Sequence, residues 1–231
     1  MIKAIVFDFD GTVIDTETAW YVAFRDAYRK YDVELTLKQY SECIGTSLHS
    51  FNPYDYLVTH LHLPIDLDEF RKSVKEYHTK LMETENVRPG IVDFLKLAKQ
   101  KELKVGLASS SVSTWVNSFL SKLDLLSYFD CVRTSDHVSH VKPDPQLYLQ
   151  TLDCLGVKPH EGIAIEDSPN GAKAAVAAGL YCVVVPNSIT KYLQFGPVHQ
   201  RADSLSDLDF DGLLQQSSQL KSELSYERGP F

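Results

Sequence analysis

Five short apolar runs recur along the chain, and they constrain the fold more than any other feature of the sequence. Each run is nearly continuous in apolar residues, which is typical of parallel strands that are covered on both faces. The runs are KAIVFDF (3–9), KVGLAS (104–109), FDCVRT (129–134), GIAIED (162–167) and YCVVVP (181–186). Helical patterns lie between the later runs. Strands that alternate with helices predict an α/β fold, with a parallel sheet and helices on both of its faces.

The helical patterns place apolar residues on one face at helical spacing. The segments IVDFLKLAKQKE (91–102) and STWVNSFLSKLDLL (113–126) both have this pattern. Two further helices are predicted to start at Pro145 and Pro169, because proline suits the first position of a helix and an aspartate or serine precedes each one.

Residues 16–86 interrupt the alternation of strands and helices. They contain helical patterns and no convincing strand, and Arg88-Pro89-Gly90 marks the return to the alternating pattern. We therefore predict an α/β core made of residues 1–15 and 87–231, with 16–86 as an inserted helical cap. The polar tail, 215–231, is expected to pack poorly.

Composition excludes several classes of partner. The 231 residues carry a net charge of -8 and no dense cluster of Lys and Arg, which argues against nucleic acid and anionic membranes as partners. The longest apolar run, 174–185, is too short to span a bilayer, and the N-terminus reads as a strand rather than a signal peptide. We expect a soluble, cytoplasmic protein, with a monomer as the default.

The four cysteines, Cys43, Cys131, Cys154 and Cys182, are far apart and form no C-x-x-C motif. We interpret them as reduced, small hydrophobic residues in a reducing compartment.

Polar residues follow four of the predicted strands at the point where each strand ends. Asp8 and Asp10 follow the first strand, Ser109 and Ser110 the second, Lys142 lies in the loop after the third, and Glu166 and Asp167 end the fourth. The carboxyl ends of parallel strands meet at one edge of a sheet, where ligands bind. Four acids and one lysine there would attract a hard divalent cation, and oxygen ligands beside a phosphate match Mg²⁺.

Two carboxylates in the pattern D-x-D can divide the work of phosphate-ester hydrolysis. Asp8 can attack phosphorus and form an aspartyl-phosphate, and Asp10 can protonate the leaving oxygen and then activate water. Gly11 permits a tight turn and a close approach of the backbone to phosphate. The hydroxyl groups of Thr12 and Ser109 can donate hydrogen bonds to phosphoryl oxygens.

Four segments in this order, DFDGT, LASSS, VKPDP and IEDSPNGAKAAVAAG, resemble the motifs of the haloacid dehalogenase-like hydrolases. The subgroup that it resembles contains β-phosphoglucomutase and sugar-phosphate phosphatases, with a Rossmann-like core and a helical cap. The resemblance implies that Asp8 is the nucleophile and Asp10 the general acid and base. It also implies that Ser109 and Lys142 bind the phosphoryl group, and that Asp8, the Asp10 backbone carbonyl and Asp167 hold Mg²⁺ with support from Glu166.

Departures from the subgroup's pattern favour a phosphatase over a mutase. Asp10 argues against dehalogenase chemistry, because a leaving halide needs no proton. By this resemblance, β-phosphoglucomutases carry a histidine where this chain has Trp20, an arginine near Leu48, and often a valine at Thr12. We therefore predict hydrolysis of a small phosphorylated metabolite, with a sugar phosphate as the expected substrate. Phosphoryl transfer of the β-phosphoglucomutase type is the alternative.

A phospho-switch resembling a response-regulator receiver domain is a further alternative. Such domains also gather aspartates, a hydroxyl group and a lysine at the edge of a sheet, but they are about half this length and give the helical insert no role. In an enzyme, the insert would act as a lid over the substrate. We predict that Glu17, Trp20, Thr46 and the region of Lys75 face the substrate.

Overall fold

The fold is described by a computed structural model, which covers residues 1–41, 43 and 51–226. Its centre is a sheet of six parallel strands in the order β3-β2-β1-β4-β5-β6. The strands are β1 (Ala4–Phe7), β2 (Lys104–Ala108), β3 (Cys131–Arg133), β4 (Gly162–Glu166), β5 (Tyr181–Val184) and β6 (Gln200–Arg201). The five predicted strands are confirmed. The sixth was not predicted, because it has two residues and no apolar run.

Helices cover both faces of the sheet, which confirms the predicted α/β fold. The helices of the described chain are α1 (Thr16–Arg29), α2 (Leu37–Ser41), α3 (Tyr56–Thr59), α4 (Leu67–Met82), α5 (Ile91–Gln100), α6 (Ser113–Lys122), α7 (Gln146–Leu155), α8 (Pro169–Ala177) and α9 (Phe210–Tyr226). Alternate residues of β1 point to opposite sides, so Ile5 and Phe7 join one apolar cluster while Ala4 and Val6 join another. This burial on both faces explains the nearly continuous apolar runs.

The last helix of the described chain begins before the polar tail and extends into it. Residues 215–226 belong to α9, which begins at Phe210. Phe210 and Leu213 are buried, and Phe210 packs edge-to-face on Phe94 of α5 with the ring centroids 5.0 Å apart. These contacts lie before residue 215, and within 215–219 only Ser217 is buried, so the expected poor packing of the tail stays a prediction.

The helices α1 to α4 build a separate apolar cluster that is rich in aromatic side chains. Phe24 and Tyr28 of α1 pack in it with Phe70 and Val74 of α4. Within the described part of 16–86 there is no strand. A short antiparallel bridge joins Ile14 to Val87, on either side of this segment. The division into a core and a cap remains a prediction that agrees with this arrangement.

One expectation about the cysteines is wrong. Cys131 in β3 and Cys154 in α7 form a disulfide, with their Cα atoms 6.3 Å apart. The pair is separated by 23 residues, and only the packing of α7 on the sheet brings the two sulfurs together. Disulfides are rare in reducing compartments, so this pair does not support the expectation of a cytoplasmic protein. Cys182 is buried in β5, as expected.

None of the helices in the described ranges has the length and hydrophobicity that crossing a bilayer requires.

Candidate active site

The candidate site lies at the carboxyl edge of the sheet, where the register aligns three strands. Phe7 of β1 pairs with Leu107 of β2 on one side and with Ile165 of β4 on the other. Asp8 therefore follows β1 at the level of Glu166, and its backbone N–H donates to the Ile165 carbonyl at 2.9 Å. The sheet itself thus brings together the acids of two motifs that are far apart in the sequence.

A tight turn follows β1 and requires glycine at position 11. Gly11 has a φ of +85°, and a Cβ there would collide with the Asp167 carboxylate. The guanidinium group of Arg88 donates to the Gly11 carbonyl and also to the Val185 and Pro186 carbonyls, at 3.0 and 3.1 Å. Arg88 therefore ties the turn after β1 to the loop after β5.

Lys142 lies between two carboxylates at this edge of the sheet. Its ammonium group donates to Asp8 Oδ1 and, at 2.7 Å, to Glu166 Oε1. Tyr148 donates to the same Glu166 oxygen at 2.6 Å, and its ring lies 5.0 Å from the Lys142 ammonium. Glu166 is fully buried and Lys142 is 5% exposed at its side chain. The lysine neutralises part of an acidic cluster that burial would otherwise make very unfavourable.

Asp167 completes the acidic cluster. Asn187 donates to its Oδ2 at 2.8 Å, and Thr12 donates to its Oδ1 at 3.4 Å. One carboxylate oxygen each from Asp8, Glu166 and Asp167 lie within 4.8 Å of one another. Asp8 Oδ2 is buried and has no hydrogen-bond partner. A buried carboxylate oxygen without a donor, beside two further acids, fits a cation ligand.

The electrostatics of this cluster show that it lacks positive charge. Burial raises the pKa of Asp8 to about 7, with Lys142 opposing the rise and Glu166 adding to it. Burial and the neighbouring carboxylates of Asp8 and Glu166 raise the pKa of Asp167 well above its ordinary value. Burial lowers the pKa of Lys142, but the two carboxylates outweigh it and hold that pKa above its usual range, so the group remains an ammonium. One lysine therefore does not offset the burial and the mutual repulsion that raise the pKa values of Asp8 and Asp167.

Asp10 lies apart from this cluster and has a different set of partners. Its Oδ2 accepts hydrogen bonds from Ser111 Oγ at 2.7 Å and from Ser109 Oγ at 3.3 Å. Its Oδ1 accepts one from the indole N–H of Trp115 at 2.9 Å. The two aspartates of the D-x-D motif therefore have different environments, which suits two different chemical roles.

A cavity of about 310 Å³ opens above these groups. Asp8, Asp10 and Lys142 form part of its wall, and Glu17 and Trp20 of α1 line it from the helical segment. Burial, together with the charges of three nearby aspartates, raises the pKa of Glu17 to about 8. The cavity is therefore enclosed by the sheet edge on one side and by α1 on the other.

Some of the residues predicted for the site line this cavity, some lie behind its wall, and others lie away from it or outside the described residues. The cavity is lined by Asp8, Asp10, Glu17, Trp20, Ser110, Lys142 and Asp167. Thr12 and Ser109 are buried and direct their hydroxyl groups to carboxylates, Glu166 lies behind Lys142, and Gly11 forms the turn. Lys75 is exposed on α4 and is not among the lining residues. Thr46 and Leu48 lie outside the described residues.

Sequence reasoning missed several residues that hold the site together, namely Arg88, Trp115, Tyr148 and Asn187. Arg88 was noted only as a boundary, since an arginine before Pro-Gly carries no sign of what it binds. Trp115 lies within the predicted helix of 113–126 but was given no role. For Tyr148 and Asn187 no motif gives a signal, because their partners are distant in the sequence.

Comparisons with known proteins agree with this geometry. A family model described as haloacid dehalogenase-like hydrolase matches residues 5–185. The Bacillus subtilis protein named "Putative phosphatase YhcW" is 40% identical over 93% of this chain and 97% of its own length. A Thermotoga maritima protein named phosphorylated carbohydrates phosphatase is 32% identical over 77% of this chain and 82% of its own.

A solved structure extends the likeness to three dimensions. It is that of CbbY from Rhodobacter sphaeroides in complex with phosphate, which is 28% identical and has a TM-score of 0.72. The match covers 92% of this chain and 99% of the other. The family model spans all four motifs that form the edge of the sheet. The chain belongs to the haloacid dehalogenase-like hydrolases.

Proposed function

We propose that the protein is a Mg²⁺-dependent phosphatase that hydrolyses a small phosphorylated carbohydrate through an aspartyl-phosphate on Asp8. The observation that carries this proposal is the contrast between the two aspartates. Asp8 belongs to a buried acidic cluster with Lys142, whereas Asp10 has its own hydroxyl and indole donors, and both line one cavity. The names of the relatives YhcW and phosphorylated carbohydrates phosphatase support the same reaction and substrate class.

The proposed reaction has two steps, in which the residues of this chain bind, attack and move protons. In the first step an Asp8 oxygen attacks phosphorus, the bond to the leaving alkoxide breaks, and Asp10 gives that oxygen a proton. In the second step water attacks the same phosphorus, Asp10 accepts a proton from the water, and the bond to Asp8 breaks. Lys142 offsets the negative charge of the phosphoryl group beside the Asp8 carboxylate.

The acids of the cluster fit a hard cation. Asp8 and Asp167 would hold Mg²⁺ through their carboxylates, together with the backbone carbonyl of Asp10, and Glu166 would keep Lys142 in place. Bound Mg²⁺ supplies positive charge that offsets the carboxylates and the phosphate and polarises the phosphoryl oxygens. The unpartnered Asp8 oxygen and the raised pKa values of Asp8 and Asp167 support this assignment.

The substrate's carbohydrate part is proposed to lie against the 16–86 segment, which we interpret as the cap. Glu17 and Trp20 line the cavity from this side, and the buried Thr16 hydroxyl has no hydrogen-bond partner. An indole ring and polar groups suit a sugar or polyol, whose C–H faces pack on aromatic rings while its hydroxyl groups form hydrogen bonds. Trp20, at the position where the mutases carry histidine, favours release of phosphate to water over its return to the sugar.

A panel of phosphorylated sugars and polyols, assayed with Mg²⁺ and with EDTA, tests the proposed activity. We expect release of inorganic phosphate that requires Mg²⁺ and is lost by at least about a thousandfold in Asp8→Asn. Asp153→Asn, on the exposed face of α7, is the matched control and should retain full activity. Conversion of glucose 1-phosphate to its 6-phosphate without phosphate release would instead support the mutase. A stable phosphorylated protein that does not turn over would support the receiver-like switch.

Acid quenching during turnover tests the covalent step. We expect a phosphoryl group on the peptide that contains Asp8, detected by mass spectrometry, and none in Asp8→Asn. With p-nitrophenyl phosphate, whose leaving group needs no proton from Asp10, accumulation of this species should increase in Asp10→Asn, because only the second step then lacks its catalyst. Turnover without any labelled peptide, in the wild type and in Asp10→Asn, would overturn the aspartyl-phosphate.

A further inference from the structure

The Trp115 indole is the one donor that reaches the Oδ1 atom of Asp10 from the described residues, at 2.9 Å. The two serine hydroxyl groups both contact the other oxygen. We propose that Trp115 is a positioning residue for Asp10, and that rings from α1 and α4 in turn hold its indole in place. This inference rests on the proposed function, since it assumes that Asp10 transfers protons.

The indole of Trp115 treats the two Asp10 oxygens differently. An indole N–H donates and cannot accept, so Oδ1 acts as an acceptor as long as this hydrogen bond exists. A hydroxyl oxygen is a weaker acceptor than a carbonyl or carboxylate oxygen, so this donor favours Oδ2 as the oxygen that takes part in the proposed proton transfer. There the hydroxyl groups of Ser109 and Ser111 can act as acceptors, because a hydroxyl group both donates and accepts. Trp115 thus orients the carboxyl group and favours one of its oxygens for proton exchange.

A stack of three rings holds the Trp115 indole from the side of the helical segment. The His78 ring of α4 lies nearly parallel to the indole of Trp115, with centroids 5.9 Å apart and an interplanar angle of 27°. His78 also stacks on Trp20 of α1, with the ring centroids 3.6 Å apart and an interplanar angle of 10°. On the α6 side, the ring centroid of Phe119 lies 4.6 Å from that of Trp115. We refer to Trp20, His78 and Trp115 as the ring stack.

The central ring of the stack is suited to this position only as a neutral imidazole. His78 is 2% exposed and its Nε2 has no hydrogen-bond partner. Burial lowers the pKa of His78 to about 4, which agrees with a neutral ring between two indoles. His78 makes no polar contact to Asp10, so its contribution is to pack against Trp115. The ring stack therefore connects Trp20, which lines the cavity, with the carboxyl group of Asp10.

Trp115→Phe tests the proposal, because it keeps an aromatic ring and removes only the N–H donor. The test compares two substrates in rapid-mixing experiments with Mg²⁺, namely p-nitrophenyl phosphate and the sugar phosphate with the highest kcat/KM in the panel. Nitrophenolate leaves without a proton, whereas a sugar alkoxide must be protonated by Asp10 as its bond to phosphorus breaks. We expect the nitrophenolate burst to stay within about twofold of the wild type, while the first step with the sugar phosphate slows by about tenfold or more. KM should change little.

A purely structural role for Trp115 gives a different result. Loss of packing would slow the first step with both substrates by the same factor, or would raise KM for both, and either outcome would overturn the proposal. Thr114→Ala, at an exposed position of α6, is the matched control and should behave as the wild type. If instead Asp10→Asn itself showed no difference between the two substrates, the proposed function would fail, and this failure is distinguishable from that of Trp115.

Two variants of His78 test the ring stack separately. His78→Phe keeps a flat ring and should retain the wild-type ratio of the two first-step rates. His78→Ala removes the ring and should lower this ratio in the same direction as Trp115→Phe. Circular dichroism and urea unfolding would establish that both variants fold. Equal rate ratios for His78→Phe and His78→Ala would overturn the role of the stack.

Discussion

Replacing Glu17 with glutamine should stabilise the metal-free protein at high pH and should change its stability little at low pH. Burial and nearby aspartates raise the pKa of Glu17 from 4.5 to about 8. A carboxyl group whose pKa is higher in the folded state binds protons more tightly there than in the unfolded chain. The contribution of Glu17 to the stability of the wild type is therefore lost as the pH rises from about 4.5 through about 8. The glutamine variant has no group at this position that ionises, so it does not show this loss.

The size of the effect follows from the pKa values. At about 1.4 kcal/mol for each tenfold change in proton affinity, the rise from 4.5 to about 8 sets a ceiling of about 5 kcal/mol. The Glu17 side chain lines the cavity and keeps some contact with solvent, which screens its interactions. We therefore expect Glu17→Gln to gain about 2 kcal/mol over the wild type between about pH 5 and about pH 8.

Urea unfolding in EDTA, at a series of pH values, measures this difference directly. Glu34→Gln is the matched control, because Glu34 is exposed in the same helical segment. Added Mg²⁺ should reduce the gain of Glu17→Gln, since bound positive charge offsets the aspartates that repel Glu17. A difference between Glu17→Gln and the wild type that stays constant from low to high pH would refute the reasoning.

Three further substitutions probe how the site is held together. Lys142→Met leaves two buried carboxylates without their cation, so the free energy of unfolding of the metal-free protein in urea should fall by about 3–5 kcal/mol. Lys96→Met, at an exposed position of α5, is the control and should cause no measurable loss. Equal midpoints for the two lysine variants would contradict this. Gly171→Ala places a methyl group against the Glu166 carboxylate, so we expect the free energy of unfolding to fall by about 1–3 kcal/mol. We also expect Mg²⁺ to raise the thermal unfolding temperature less than in the wild type. An unchanged response to Mg²⁺ would count against the packing argument. Arg88→Met removes the donors to three loop carbonyls. It should lower kcat and reduce the free energy of unfolding by about 3 kcal/mol. Wild-type values of both quantities would show that the loops hold their positions without Arg88.

The sheet and the acids at its edge could be predicted because local sequence carries their signal. A strand that is buried on both faces needs apolar residues at every position, so β1 and β4 stand out as short apolar runs. Parallel strands all end at the same edge, so Asp8 and Glu166 had to come close once the strands were recognised. The resemblance to a known family then gave these acids their expected roles.

The partners of those acids could not be predicted, because they depend on tertiary packing. Trp115 and Asp10 are 105 residues apart, and the tryptophan has the same apolar signature as any residue on a packed helix face. Gly171 offers no local reason to be glycine, yet the Glu166 carboxylate occupies the space that a Cβ would fill. The disulfide between Cys131 and Cys154 was missed for the same reason, whereas strand β6 was missed because its two residues form no apolar run.

The bridge between Ile14 and Val87 has a consequence for how proteins of this kind can diversify. It places the two ends of the 16–86 segment side by side, and the Arg88 backbone N–H adds a hydrogen bond to the Val13 carbonyl at 2.9 Å. Any replacement whose two ends are equally close could therefore be grafted at this junction without altering the register of the sheet. Selectivity for new esters could then evolve, or be engineered, by exchanging one module while the reactive chemistry is inherited unchanged.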